Sequence, residues 1–185
     1  MTAKDMHQHV YPATWLKESD FEQGKVITVT HKPDARYAWD AGVAIGRYLQ
    51  ELKNGRLIAR VCHECRRIMI PPRMFCERCF RPTDEWALVQ DTGTIKTFSL
   101  CYITWDMIRL EHPQIPAVID IDGASAGMGI MHLLGEVDPA AVHIGMRVQA
   151  VWKPAAERQG SITDIRYFKP IDEPDVPADQ LQETV

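Results

Sequence analysis

Nowhere in the chain do about 18 apolar residues run together, so no membrane-spanning helix is expected. The first ten residues are polar and carry His7 and His9. They lack the apolar stretch of a secretory signal, and the chain reads as cytosolic. Basic charge is scarce. Lys and Arg number 21 against 25 Asp and Glu, for a net charge of -4, which removes any global pull toward nucleic acid or anionic lipid. Lysines number eight, and the region after residue 83 lacks the aromatics interleaved with Lys and Arg that stacking on single strands requires. There is no internal repeat and no low-complexity tract. Residues 122–129 are rich in glycine but lack the Lys-Ser/Thr ending of a phosphate loop, and no helix pattern follows. A wide turn between strands is the better reading. No Ser/His/Asp arrangement, carboxylate pair or dinucleotide fingerprint is present, and His7, His9, His31, His132 and His143 show no ligand spacing.

What is present is the composition of a globular protein: 45% hydrophobic and 25% charged over 185 residues. Four parts separate along the chain. Residues 1–54 form an N-terminal extension, with one strand expected at 25–30 and a helix at about 40–53. Val43, Tyr48, Leu49 and Leu52 share a face of that helix, and Gly55 stands where a helix stops. Residues 55–82 hold a cysteine module. Residues 83–170 read as short strands at 85–89, 94–102, 117–121, 130–137, 147–152 and 162–168, with a polar loop between the second and third that carries Asp106, Arg109, Glu111 and His112. Many short strands without a long intervening helix argue for a small β-barrel. Residues 171–185 hold five acids, no base and two prolines, and are expected to be mobile or ordered by a partner.

Four of the five cysteines are arranged as Cys62-x-x-Cys65, ten residues, then Cys76-x-x-Cys79. Each pair can sit on a tight knuckle that directs two thiolates at one ion, and two knuckles complete the tetrahedral shell of structural zinc. A rubredoxin-like iron site and a redox pair are the alternatives. The spacer holds a plausible strand, 67–70, and Pro71-Pro72 to turn the chain. A shell closed by four cysteines leaves no open position for catalysis at the metal. The fifth, Cys101, has no charged base beside it in sequence and reads as a small apolar residue in a strand rather than a nucleophile. Asp106, Glu111 and His112 could act as acid-base groups, but a solvated loop explains them more simply.

The cysteine module is basic. It has Arg56, Arg60, Arg66, Arg67, Arg73, Arg78 and Arg81 against Glu64 and Glu77, a net +5 in an acidic chain. An anion site for nucleic acid, coenzyme phosphate or an acidic protein surface is one reading. A solvated face on a module with little interior is the other.

The order of helix, four-cysteine ribbon and barrel, with Gly55-Arg56-Leu57, Cys62-His63-Glu64-Cys65, Pro71-Pro72-Arg73, Cys76-Glu77-Arg78-Cys79, Gly93-Thr94-Ile95, Ile144-Gly145-Met146-Arg147-Val148 and Phe168-Lys169-Pro170, resembles the OB-fold proteins with a rubredoxin-like zinc ribbon that associate with acyl-CoA enzymes. The resemblance runs from Gly46 to Pro170. It implies a mainly β fold: an N-terminal helix, a four-cysteine zinc ribbon and a C-terminal OB-fold β-barrel. It also implies a non-catalytic subunit of a thiolase-like partner that itself supplies the nucleophilic cysteine and acid-base histidines. The zinc would be structural, one per chain. A CoA thioester would be the ligand of the complex, with Arg66, Arg67, Arg73 and Arg78 as candidate contacts to its phosphates. About 40 residues precede the helix, a departure from the family pattern that bears on partner docking. The competing readings are a nucleic-acid-binding module and a stand-alone acyl-CoA carrier.

Overall fold

The structure, a computed structural model, describes residues 17–29, 31–32, 34–177 and 179–181. It divides into two compact units, residues 1–38 and 39–185. His7 and His9 lie outside the described residues. In the first unit a short helix, α1 (Glu18–Glu22), is fixed by the Asp20 carboxylate, which accepts from Lys17 N at 3.0 Å. The strand expected at 25–30 is not formed by residues 25–29, and residue 30 lies outside the described residues. Ile27 and Val29 are almost fully exposed. Among the described residues no strand pairs with this run, and a β-prone run forms a strand only with a partner.

The second unit opens with helix α2 (Gly42–Lys53). Asp40 accepts from Gly42 N at 2.9 Å at its start. It stops at Gly55, whose φ of 73° suits glycine. There Gly55 N donates to Leu52 O and Arg56 N to Glu51 O, both at 2.9 Å, the paired bonds of a Schellman stop. The buried face is the i, i+4 row Ala44, Tyr48 and Leu52, with Leu49 half-buried. Val43, expected inside, is exposed, because it sits about 100° round the helix from Ala44.

Three antiparallel strands follow in the order β2-β1-β3: β1 (Leu57–Val61), β2 (Ile68–Met69) and β3 (Glu85–Val89). β1 is a strand that the sequence reading did not mark. β3 completes this sheet rather than the barrel's, pairing Ile58 with Leu88 and Arg60 with Trp86.

The barrel is a five-stranded antiparallel sheet in the order β10-β9-β4-β7-β8. Its members are β4 (Thr92–Phe98), β7 (Pro116–Ile121), β8 (Gly129–Leu133), β9 (Arg147–Trp152) and β10 (Ile165–Pro170). The two ends meet through a parallel bridge between Leu134 and Phe168, and Gly135 N donates to Phe168 O at 2.9 Å. Ile95, Ile119, Val148, Ile165 and Phe168 fill the interior, in one cluster with Leu57 and Met69 of the three-stranded sheet and Ile70 just after it. A side chain at Gly129 would run into the Ile119 carbonyl, so glycine permits the close β7–β8 approach. The fold is the mainly β arrangement expected from the sequence.

Four expectations differ in detail, the first being that the strand expected at 130–137 ends at Leu133. The strand expected at 94–102 is two, because β4 bulges between Ile95 and Thr97 and ends at Phe98. The chain then enters β5 (Cys101–Ile103), which pairs with β6 (Arg109–Gln114) as a separate hairpin where a polar loop was expected. Residues 162–164 form a 3-10 turn, not the start of a strand. Asp164 is buried there and accepts from the amides of Gln159, Gly160 and Ser161.

Candidate metal centre

Each knuckle is closed by an amide-to-carbonyl bond across its cysteine pair. Cys62 N donates to Arg67 O and Cys76 N to Arg81 O, both at 2.9 Å. The residue after each pair, Arg66 and Phe80, turns the chain at φ of 58° and 50°. The four Sγ atoms of Cys62, Cys65, Cys76 and Cys79 lie within 4.8 Å of one another. Cys65 and Cys76 approach to 3.4 Å. A tetrahedral ion at Zn–S of about 2.3 Å holds sulfurs roughly 3.8 Å apart, so the cage fits after a small adjustment that parts Cys65 from Cys76 and draws the wider pairs in. Cys62 and Cys76 are buried, Cys65 and Cys79 partly so.

The electrostatics favour a cation. Cys79 is pushed up to about 12, first by hydrogen bonding with Cys65, then by desolvation and by Cys62 and Cys76. Cys76 moves the other way. Desolvation raises it, but amides of Cys79 and Arg78 directed at its sulfur outweigh that and bring it to about 7. Four such thiols cannot all ionise together unless a cation sits among them.

The two knuckles are tied together through the segment that leads into β3. Asp84 accepts from His63 N at 2.7 Å and pairs with Arg81 at 2.9 Å. Thr83 Oγ1 donates to Arg73 O at 2.9 Å. The ribbon is tied to the barrel through Ser125 in the glycine-rich turn. Its amide donates to Ile68 O at 3.0 Å and its hydroxyl accepts from Ile68 N at 2.8 Å. Sequence reasoning gave Ser125 no role, and no local pattern marks it.

The seven arginines do not form one surface. Arg60 is buried, donating to Thr83 and lying 4.7 Å from the Trp86 ring centroid, with Arg47 of α2 at 4.5 Å. Arg56 pairs with Glu51 at 2.6 Å. Arg67 and Arg73 share Glu77, at 2.8 and 3.5 Å. Among the described residues, Arg66 and Arg78 are exposed and make no ion pair. Of the four candidate phosphate contacts, two are thus engaged inside the ribbon and two are free.

Arg147, noted in sequence only as part of Gly-Met-Arg-Val, is a junction. It reaches Asp122 through two bonds of 2.9 and 2.6 Å, Thr94 at 2.9 Å and Glu173 at 2.9 Å. Burial raises the Asp122 carboxyl, but hydrogen bonds from Arg147 and Thr92 and the guanidinium charge outweigh it and hold it below its ordinary value. Glu173 and Asp175, the latter 2.7 Å from His143, fasten the start of the acidic tail, and Val176 N donates to Gly145 O at 2.9 Å. Residues 171–177 are therefore held by the barrel itself. Cys101 is half-buried on β5, opposite Gln114. Asp106, Glu111 and His112 are exposed on the hairpin.

Residues 49–85 match the family described as the ChsH2 rubredoxin-like zinc ribbon domain, and residues 86–153 that described as the ChsH2 C-terminal OB-fold domain. A DUF35 domain-containing scaffold protein of Methanocaldococcus jannaschii is 29% identical over 119 residues, spanning 63% of this chain and 82% of that protein. Among solved structures, the Ltp2-ChsH2(DUF35) aldolase superposes with a TM-score of 0.52 at 19% identity, covering 73% of this chain and 98% of that one. A DUF35-family protein of unknown function from Sulfolobus solfataricus gives 0.49 at 19% identity, over 57% and 75% of the two chains.

Proposed function

We propose that this chain, which belongs to the DUF35 family of ChsH2-type proteins joining a rubredoxin-like zinc ribbon to an OB-fold domain, is the non-catalytic zinc-binding subunit of a thiolase-type acyl-CoA enzyme. The observation that carries the reading is that ribbon and barrel match the two ChsH2 domains in unbroken succession, and that a ChsH2 chain of this fold occurs in an aldolase with Ltp2. In this reading residues 1–54 are the extension and helix, 55–82 the ribbon, 83–170 the barrel and 171–185 the tail. Cys62, Cys65, Cys76 and Cys79 hold one zinc. The ion supplies a tetrahedral crosslink to a module too small to hold itself together.

The partner does the chemistry. It cleaves the Cα–Cβ bond of a β-keto acyl-CoA, passing the acyl group to the sulfur of free CoA while a proton goes to Cα of the departing acyl-CoA. The finer assignment is benzoylsuccinyl-CoA thiolase of anaerobic toluene degradation, which would yield benzoyl-CoA and succinyl-CoA. A second reading follows from the aldolase in the fold comparison: retro-aldol cleavage of a β-hydroxy acyl-CoA, which consumes no free CoA. This subunit supports assembly, and one or more of Arg66, Arg67, Arg73 and Arg78 meets the coenzyme phosphates, with Arg66 and Arg78 the two that make no ion pair among the described residues. Guanidinium forks suit that task.

Purifying the two chains separately, mixing them and following turnover tests the proposal. A complex that consumes free CoA, from components inactive alone, is expected. Full activity of the thiolase-like chain alone, or salt-dependent binding of this chain to single-stranded DNA without complex formation, contradicts it. Cleavage without free CoA selects the aldolase reading. Arg78→Ala should weaken CoA binding by about 1–3 kcal/mol and spare the analogue lacking the 3′-phosphate. Equal effects on both ligands remove the phosphate contact.

A further inference from the structure

We infer that the β5–β6 hairpin is a preformed prong that seats its apolar tip in a cleft of the catalytic subunit, with Trp105 as the anchor. The inference rests on the reading of this chain as a subunit. Six large apolar side chains stand exposed between residues 100 and 108: Leu100, Tyr102, Ile103, Trp105, Met107 and Ile108. Trp105 is 95% and Met107 81% exposed. The hairpin is its own two-stranded sheet, outside both the ribbon sheet and the barrel.

The tip is held rigid despite being in water. Thr104 N donates to Ile108 O at 2.9 Å, Met107 N to Thr104 O at 3.0 Å, and Ile108 N to Thr104 Oγ1 at 3.0 Å. The Thr104 hydroxyl also bonds the Asp106 carboxylate. A loop already ordered loses little freedom on docking, which favours affinity. Met107 has a φ of 66°, a conformation in which glycine is least strained. A long apolar side chain is kept there although it is largely uncovered in this chain.

The chemistry of the tip selects the occupant. A membrane-seated loop would carry a collar of Lys and Arg. Here the nearby charges are Asp106, Arg109 and Glu111, a net -1, which does not draw an anionic lipid surface. A second copy is a poor receptor, because a convex tip placed in a groove elsewhere on an identical chain makes a head-to-tail contact that propagates unless it closes. A different protein with an apolar cleft satisfies both conditions. Trp105 can bury about 150–250 Å², and its five apolar neighbours add to that toward the ~800 Å² each partner gives to a standard interface. The hairpin would form the apolar centre of the contact, where tryptophan anchors concentrate.

Two variants test it, Trp105→Ala and Met107→Gly. Glycine suits the left-handed position, so Met107→Gly removes the side chain without opposing the turn. Binding to the thiolase-like chain encoded in the neighbouring reading frame is measured by calorimetry, with zinc content and thermal midpoint recorded for each variant. Trp105→Ala should weaken binding about 30-fold or more. Met107→Gly should weaken it several-fold while its thermal midpoint stays within about 2 °C of wild type. Wild-type affinity in both variants overturns the inference and leaves the functional reading standing. A wild-type chain that binds no thiolase-like chain overturns the functional reading, and the named occupant with it. Hairpin-dependent binding to phosphatidylglycerol vesicles, or a homodimer abolished by Trp105→Ala, also overturns the inference.

Discussion

Replacing Arg147 by methionine keeps most of its aliphatic stem and removes the guanidinium that joins β4, β9, the 122–129 turn and the tail. The structure sets the size of the effect. The Arg147 side chain is 13% exposed and that of Asp122 26%, so their two-pronged contact is only partly screened. Two charge-assisted bonds at about 1.5–3 kcal/mol each set an upper bound, and partial exposure reduces it. Glu173 is half exposed and adds little. A loss of about 3 kcal/mol results, or a fall of roughly 6–12 °C in thermal midpoint for a chain of this size. The sign with pH follows from Asp122, whose carboxyl is held below its ordinary value of 3.8. Its contribution is complete above that value and fades as pH falls through the lower, folded value. Urea unfolding of wild type and Arg147→Met, both stripped of metal so that the same species is compared, at neutral pH and again near pH 3 should therefore show a gap that narrows in acid. A gap under about 1 kcal/mol at neutral pH, or one of constant size, would refute the reasoning.

Asp164→Asn should lower unfolding stability by about 2–3 kcal/mol in urea titrations, because a buried carboxylate that accepts three amides loses acceptor capacity. Cys101→Ala should leave turnover of the reconstituted complex within about threefold, a packing-sized effect. Abolished turnover with normal assembly would mark Cys101 as catalytic. Gly129→Ala should cost about 1–3 kcal/mol by forcing β7 and β8 apart at the Ile119 carbonyl, read by thermal unfolding.

Much of the fold could be read from the chain because its signals are local. The doubled knuckle fixes four side chains by spacing alone. Strands 85–89 and 147–152 appear at their expected bounds, since each is a short β-prone run closed by turn residues. The failures are tertiary. Residues 25–29 have the composition of a strand but pair with no strand among the described residues. Leu57–Val61 was hidden by Arg60, a charge in an apolar run, which Trp86 and Thr83 accommodate from 23 or more residues away. The hairpin reads as a polar loop when Asp106, Arg109 and Glu111 are counted, although Trp105 and Met107 stand exposed at its tip. The +5 of the ribbon counts Arg56 and Arg81 as uncompensated, yet their counter-ions, Glu51 and Asp84, lie just outside that segment. Arg147 and Ser125 act through partners 25 or more residues distant, which no spacing rule detects.

The central claim is that a metal held by two knuckles supports a subunit that works only in a complex. Zinc content and binding to the thiolase-like chain, measured together on wild type and Cys76→Ser, test it most directly. The account predicts about one zinc per wild-type chain, loss of metal in the variant, and loss of assembly with it. A fully folded metal-free wild-type chain that assembles normally, or a Cys76→Ser variant that keeps both zinc and partner, would contradict it.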